Sequence, residues 1–264
     1  MKKYLNTAFI FIGIFACGLL FAENVPVQDI VEKANKVAYY EGSDGKAEVS
    51  MVITDSQGRT REKKFVILRM DIEDAKEQKY YVYFKEPSDV QDMVYMVWKH
   101  LDGDDDRWLY LPALDLVRRV AASDKRSSFV GSDFLYEDVS GRSLDMDLHE
   151  LVESDREGYY KIKNTPKEES GIDFKYYHVW IDRSNFMPMK AEYYDEQGRP
   201  YRIVEALEVG DIEGHPTVIK SKVTDLSSGS STVLEFKKID YDIGLSDDIF
   251  TERYLRRPPA EWLE

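Results

Sequence analysis

Segments with β-strand character follow one another along most of this 264-residue chain, and no helical pattern alternates with them. Apolar and aromatic residues recur in these segments with the period of a strand, and Gly, Asp, Ser and Asn occupy the gaps, as they do in turns. The predicted strands are Lys46–Thr54, Thr60–Met70, Lys79–Lys85, Met93–His100, Arg107–Leu111, Leu116–Val120, Tyr159–Asn164, Phe174–Asp182, Met189–Tyr194, Tyr201–Val209, Thr217–Asp225 and Ser231–Tyr241. This succession disfavours a doubly wound α/β fold and predicts one antiparallel sheet that is strongly curved or closed.

Several of these strands are apolar on both faces, which a sheet wetted on one side does not show. In residues 174–181, one face carries Phe174, Tyr176, His178 and Trp180, and the other carries Tyr177, Val179 and Ile181. Apolar structure must therefore cover both faces of the central strands. A sheet that wraps around an apolar interior, with part of it left for a ligand, agrees with this pattern; a fully packed core is the alternative.

The beginning of the chain has the pattern of an export signal. Lys2 and Lys3 precede an uncharged stretch that ends at Ala22 and is followed by Glu23. Two processing routes are open: cleavage after Ala22, so that 1–22 is a signal peptide and the protein is soluble, or removal of 1–16 and lipidation of Cys17, which anchors the protein to a membrane. Either route predicts a periplasmic protein, and we expect residues 23–264 to form a single domain.

A helix is predicted next to this signal. Apolar residues from Val27 to Ala38 fall at helical spacing, Pro26 lies in the first turn, and Gly42 ends the run. The predicted helix has one apolar stripe, which needs a partner surface. It is one of three available covers for the sheet, together with the middle segment (residues 108–139) and short C-terminal helices.

Composition excludes several classes of function. The chain has 50 Asp+Glu against 36 Lys+Arg, and its formal net charge of −14 repels nucleic acids. A single Cys excludes a disulfide framework and Cys-rich zinc modules. The acidic turn 100–106 fails the calcium-loop pattern, and Gly-rich phosphate loops are absent. We therefore expect no metal site and no cofactor.

The middle segment has the sequence WLYLPALDLVRRV…SDKRSSFVGSDFLYEDV. It resembles the signature of bacterial outer-membrane lipoprotein-sorting proteins with the LolA-like fold. WIDRSNFMPMKAEYYDEQGR, from Trp180, and LSDDIFTERYL, from Leu245, also fit this family, so the resemblance covers essentially the whole exported chain. It implies a mainly β fold, a half-open antiparallel β-barrel with helices over its concave face, and a cavity that accepts acyl chains of lipids or lipoproteins.

The predicted function is that of an exported lipid or lipoprotein carrier, with no catalytic residues and with a membrane transporter as a candidate partner. Each acyl methylene moved from water into an apolar cavity gains ~0.8 kcal/mol. We expect the cavity to include Trp98, Trp108, Tyr110, Phe129, Phe134, Leu135, Tyr136, Tyr176 and Trp180.

The residues of the middle segment also suggest local roles. Ser132 is suited to cap a short helix that ends at Val139, and this helix would cover the apolar interior either as a mobile lid or as a fixed plug. A basic cluster would either meet a lipid phosphate or an acidic partner, or consist of solvated charges paired with nearby carboxylates. Its members are Arg118, Arg119, Lys125 and Arg126.

Two alternative functions come from other classes. A lipid hydrolase would use Ser132, although Phe134 stands where the G-x-S-x-G elbow has its second glycine; one serine–histidine pair beside a lipid cavity would suffice chemically. The other alternative is a structural or docking component of a membrane transport system that binds no lipid.

Overall fold

One antiparallel sheet contains all thirteen strands in the part of the chain that this computed structural model describes. The structure describes residues 25–72, 77–101, 103–168 and 171–264, so the predicted signal and Cys17 lie outside the described residues. The strands are β1 (Asp44–Thr54), β2 (Thr60–Asp71), β3 (Gln78–Glu86), β4 (Val94–Lys99), β5 (Asp106–Leu111), β6 (Leu116–Arg119), β7 (Asp147–Val152), β8 (Tyr159–Pro166), β9 (Tyr176–Asp182), β10 (Pro188–Tyr194), β11 (Pro200–Ile212), β12 (His215–Asp225) and β13 (Ser231–Tyr241). The α-helices are α1 (Val27–Tyr39), α2 (Tyr136–Ser140), α3 (Glu252–Arg256) and α4 (Ala260–Leu263), and 3₁₀ turns lie at Pro112–Leu114, Ala122–Asp124, Leu144–Met146 and Asp247–Ile249.

The order of the strands explains how the chain builds a half-open barrel. It is β6-β5-β4-β3-β2-β1-β13-β12-β11-β10-β9-β8-β7. The chain enters the middle of the sheet at β1, meanders to the edge at β6, crosses to the other edge at β7, and meanders back to β13, which pairs with β1. The edges β6 and β7 do not pair with each other, so the sheet is open. The predicted mainly β fold class, a single curved and half-open antiparallel sheet, is confirmed.

The link between the two edges, residues 120–146, is called the crossover here. It lies on the inner face of the sheet, where its Phe129 packs 5.4 Å from Tyr95 and 5.9 Å from Phe84, measured between ring centroids. Leu109 of β5 and Val223 of β12 belong to the same buried cluster, although several strands separate them in the sheet. The sheet must therefore curl around this face.

The C-terminal residues cover part of the outer face. Leu245, Phe250 and Leu255 pack against Leu68 and Met96 in a second buried cluster, the outer cluster. Strands β2–β5 are thus buried on both sides, as their two-sided apolar sequence predicts. Among the described residues, the outer cluster contains none from β7–β10.

The helix α1 covers the other half of the inner face. Its apolar stripe, Ile30, Val31 and Ala34, packs against Ile162 of β8 and Ile181 of β9. Pro26 occupies the N-cap position, so it precedes the first turn instead of lying in it as predicted, and the helix ends at Tyr39. Gly42 follows with φ +66°, a conformation that glycine adopts without strain.

One strand is not predicted from the sequence. Strand β7 lies at an edge of the sheet, and its Leu148 and Leu151 are 60% and 42% exposed. Strands are recognised in a sequence from apolar side chains that alternate between core and solvent. The apolar side chains of β7 do not alternate in this way. The other twelve strands correspond to predicted segments.

Candidate functional site

A cavity of about 490 Å³ lies between the curled sheet and its two inner covers, α1 and the crossover. Strands on both sides of the β1–β13 pair contribute to it, among them β2, β9 and β11–β13. Its lining is mostly apolar and includes Val31, Val37, Ile67, Val179, Ile181, Val204, Val218, Leu234 and Phe236. The interior is hollow because the covering side chains do not fill the curve of the sheet.

Strand alternation decides which side chains of β9 reach this cavity. Tyr177, Val179 and Ile181 line it. The alternate residues Tyr176 and Trp180, which we expected in the cavity, lie on the outer face. There Tyr176 stacks on Tyr194 at 4.7 Å between ring centroids, and the Trp180 indole nitrogen donates a hydrogen bond to Asp155 at 2.8 Å. Both faces of β9 are aromatic or aliphatic, so the sequence does not reveal which one is inside.

The expected residues on β4 and β5 also lie away from the cavity. Trp98, Trp108 and Tyr110 pack in the outer cluster beneath the C-terminal residues. The Trp98 and Trp108 rings are 5.0 Å apart, and the Trp98 indole nitrogen donates to the carbonyl of Phe250 at 2.7 Å. These aromatic residues hold the C-terminal cover on the sheet.

Four expected residues lie in the crossover. Phe129 and Phe134 line the cavity. Tyr136 is buried beside them, with its ring 5.6 Å from that of Phe129. Leu135 precedes α2, and its backbone N–H donates to Asp138 at 2.7 Å. Of the nine expected residues, these two phenylalanines therefore contribute directly to the cavity wall.

Sequence reasoning missed most of the wall formed by β11–β13. Val204 and Ala206 alternate on β11, Val218 lies on β12, and Leu234 and Phe236 alternate on β13. All five are apolar, but they lack the aromatic density that drew attention to β4, β5 and β9. Period-two alternation in these strands was the available signal.

One side of the cavity is polar and contains ion pairs among buried side chains. In α2, Glu137 accepts hydrogen bonds from Arg126 at 2.9 Å and from Arg142 at 3.3 Å. Arg142 also bonds Asp147 at 2.9 Å, and the Tyr177 hydroxyl donates to Asp147 at 2.7 Å. These contacts fasten the crossover to the edge strand β7 and to β9.

Two phenols of this polar side are neutral hydrogen-bonding groups. Burial raises the pKa of Tyr177 well above its usual value, and the charge of Asp147 raises it further. Burial also raises the pKa of Tyr193. The cavity therefore combines a long apolar wall with a polar side whose phenols are uncharged.

The predicted basic cluster is divided between two environments. Arg126 is buried and pairs with Glu137 and Asp173. Lys125 lies 3.8 Å from Asp104, and Arg119 pairs with Asp106 at 2.6 Å. Arg118 and Arg119 are exposed on the edge strand β6.

Ser132 has a local structural role. Its hydroxyl donates to the carbonyl of Phe129 at 2.7 Å and accepts from the N–H of Phe134 at 3.2 Å. The expectation that Ser132 caps a helix is wrong, because α2 begins only at Tyr136. The hydroxyl instead closes the turn that carries the two cavity phenylalanines.

The described ranges offer neither a metal site nor a membrane-spanning helix. They contain no group of three or more His, Cys, Asp or Glu side chains placed to hold a metal ion. In the same ranges, no helix has the length and apolar character needed to cross a membrane. Near the acidic turn, the buried carboxylate of Asp105 pairs with the buried guanidinium of Arg107 at 2.6 Å.

Comparisons with known proteins identify relatives of this fold. A family model described as "Uncharacterized protein" matches residues 76–257, and no curated protein matches the chain. A DUF1329 family protein from Desulfovibrio piger is 30% identical, with a TM-score of 0.80, and the match covers 87% of this chain and 99% of that one.

Two more solved structures support the fold. A domain described as an outer membrane lipoprotein-sorting protein from Vibrio parahaemolyticus is 24% identical, with a TM-score of 0.79 and coverage of 87% of this chain and 97% of that one. A LolA superfamily protein from Nitrosomonas europaea is 21% identical, with a TM-score of 0.68 and coverage of 87% and 99%. The chain belongs to the DUF1329 family and has the half-open barrel fold of the LolA superfamily.

Proposed function

We propose that this protein is a periplasmic carrier that shelters one hydrocarbon chain of a lipid or lipidated partner in its inner cavity. The supporting observation is the cavity itself, about 490 Å³ with a mostly apolar wall. Its volume lies within the range of about 300–1,000 Å³ typical of small-molecule sites. Burial of a long chain at ~0.8 kcal/mol per methylene would contribute on the order of 10 kcal/mol.

The volume favours a single chain. A cavity of about 150 Å³ holds the six carbons of benzene, which corresponds to roughly 25 Å³ per carbon. On this scale the 490 Å³ cavity holds roughly 20 carbons. One long acyl chain fits this space, whereas two myristoyl chains already exceed it.

Export and release belong to the same proposal. The basic and apolar start of the chain supports export, with either cleavage after Ala22 or lipidation of Cys17. The Vibrio parahaemolyticus relative is named for outer membrane lipoprotein sorting, which supports a role in transfer between membranes. Release needs a competing acceptor, such as a membrane transporter, because the burial that holds the chain also opposes its departure.

A carrier agrees better with the site than a hydrolase does. Among the hydrogen bonds of the described residues, those of the Ser132 hydroxyl go to the backbone of Phe129 and Phe134. A nucleophilic serine requires a base within hydrogen-bonding reach. These backbone partners do not include one.

A carrier leaves its lipid chemically intact. Mass spectrometry of an organic extract from the purified protein should therefore show intact lipid.

The cavity can be tested by filling it. We expect Val179→Trp to weaken binding of a fluorescent fatty acid at least tenfold, because the indole would occupy the space meant for the chain. The control is His178→Trp, which puts the same side chain on the next residue of β9 but on the outer face. Fluorescence titration measures both, and circular dichroism verifies that each variant is folded.

Two results would contradict this proposal. One is equal affinity in the Val179→Trp variant and the wild type, with both proteins folded. The other is an organic extract free of lipid together with no uptake of the fatty acid by the wild type, which would favour a docking component. Ala206→Phe, a smaller filling of the same cavity from β11, keeps the test valid if Val179→Trp does not fold.

A further inference from the structure

An exposed apolar turn lies at the β6 edge of the sheet. Leu114 and Leu116 are 70% and 44% exposed. Leu114 ends the 3₁₀ turn Pro112–Leu114, and Asp115 follows it in the left-handed conformation with φ +44°. Two large aliphatic side chains are therefore presented to solvent on either side of a sharp turn.

The helix α3 stands beside this turn. The Arg256 Nε donates to Asp115 Oδ1 at 2.9 Å, and the Arg256 guanidinium lies 5.9 Å from the centre of the Tyr110 ring. The turn and the helix form one continuous surface, which we call the edge tip (residues 112–119 and 252–257).

The charge of the edge tip is opposite to that of the protein. It contains five arginines and two carboxylates, whereas the whole chain has a net charge of −14. The charged residues are Arg118, Arg119, Arg253, Arg256, Arg257, Asp115 and Glu252. Arg119 and Arg256 pair with carboxylates at Asp106 and Asp115, yet their side chains stay 65% and 50% exposed. Their guanidinium groups can therefore make further contacts.

We propose that the edge tip docks on a membrane surface that contains anionic phospholipid. Leucines at the apex of a turn can enter the boundary between head groups and acyl chains. Arginines around them match phosphate groups geometrically and gain from the negative surface potential. The local positive charge on an acidic protein would also orient it, with the edge tip towards the membrane and the rest of its surface repelled.

The other edge of the sheet provides a matched control. Leu148 of β7 is 60% exposed, similar to Leu114, but its neighbours along the strand include Glu150 and no arginine. If exposed leucine alone caused membrane binding, both edges would bind. The proposal predicts that only the arginine-rich edge does.

The test is co-sedimentation of the exported chain, residues 23–264, with lipid vesicles; this chain lacks Cys17 and the apolar signal, so that neither contributes to binding. We expect binding to vesicles of phosphatidylglycerol and phosphatidylethanolamine, weak binding to phosphatidylcholine, and loss of binding as salt is raised. The double variants Leu114→Ser/Leu116→Ser and Arg119→Gln/Arg256→Gln should each bind at least tenfold more weakly. Leu148→Ser should bind as the wild type does.

Three results with vesicles would overturn the proposal. They are no binding to anionic vesicles, equal binding to anionic and zwitterionic vesicles, and equal loss of binding in Leu148→Ser. Binding of the edge tip to an acidic protein, without binding to vesicles, would also overturn it. If the edge-tip variants lose vesicle binding but still take up fatty acid, the loss of vesicle binding is not a failure of the carrier function.

Discussion

At the scale of single residues, two turns of this protein repeat the same chemistry. In the first, the Asp55 carboxylate accepts the backbone N–H groups of Gln57 and Arg59 and the Arg59 side chain at 2.7 Å. In the second, Asp195 makes the corresponding contacts with residues 197 and 199. Hydrogen bonding from Arg59 lowers the pKa of Asp55, so its charge persists in acid. All hydrogen-bonding partners of each turn lie within five consecutive residues.

Lys99 depends on residues far along the chain. It is 3% exposed, its ammonium donates to the carbonyl of Ser140 at 2.7 Å, and it lies over the rings of Tyr39 and Tyr40. Burial lowers its pKa from 10.5 to about 8, and the nearby Asp105 opposes part of this change. The charged form is thus disfavoured by folding.

This pKa predicts a pH dependence of stability. Between pH 8 and 10.5 the unfolded chain retains the Lys99 proton that the folded chain has released, so the free energy of unfolding rises with pH. We expect wild type to gain on the order of 3 kcal/mol relative to Lys99→Met across this window. Urea denaturation of both proteins at several pH values measures the difference. A difference that does not change with pH would show that Lys99 is not desolvated.

At the scale of elements, the ion pairs of α2 favour a crossover that acts as a fixed plug. Asp138 of α2 pairs with Arg202 of β11, and Arg142, just after α2, pairs with Asp147 of β7. Lifting the crossover as a lid would separate buried opposite charges, which costs several kcal/mol.

Removal of one carboxylate tests this arrangement. We expect Asp138→Ala to lower the free energy of unfolding by on the order of 3–5 kcal/mol, because the buried Arg202 guanidinium of β11 loses its carboxylate partner in the crossover. The control is Glu150→Ala, which breaks an exposed pair with Lys163 at 3.7 Å and should cost less than about 1 kcal/mol. Urea denaturation monitored by tyrosine and tryptophan fluorescence compares them. Similar losses in both variants would mean that the crossover is not anchored by this network.

At the scale of the whole molecule, the two halves of the chain share one sheet and enclose one interior. The halves meet where β1 pairs with β13, and the crossover connects their outer edges across the inner face. The cavity is bounded by both halves, so its volume depends on how far the entire sheet curls. The capacity for ligand is therefore a property of the assembled molecule.

This capacity predicts the stoichiometry of binding. A cavity for roughly 20 carbons should saturate with one equivalent of a long-chain fatty acid. Native mass spectrometry of protein titrated with palmitate should show one bound molecule, and a diacyl phospholipid should leave one of its chains outside the cavity. Retention of two fatty acids per protein, with the Val179→Trp variant losing both, would show that the interior expands well beyond 490 Å³.

The sequence by itself determined the antiparallel strands, the turns and the apolar stripe of α1, because each depends on residues that are neighbours in the chain or one helical turn apart. It also indicated that both faces of the central strands are covered. Only the tertiary structure decided that Val179 lines the cavity while Trp180 lies outside, and that Trp108 packs under the C-terminal residues. When both faces of a strand are apolar, alternation cannot tell which face is concave; that depends on the direction in which the whole sheet curls around its crossover and α1.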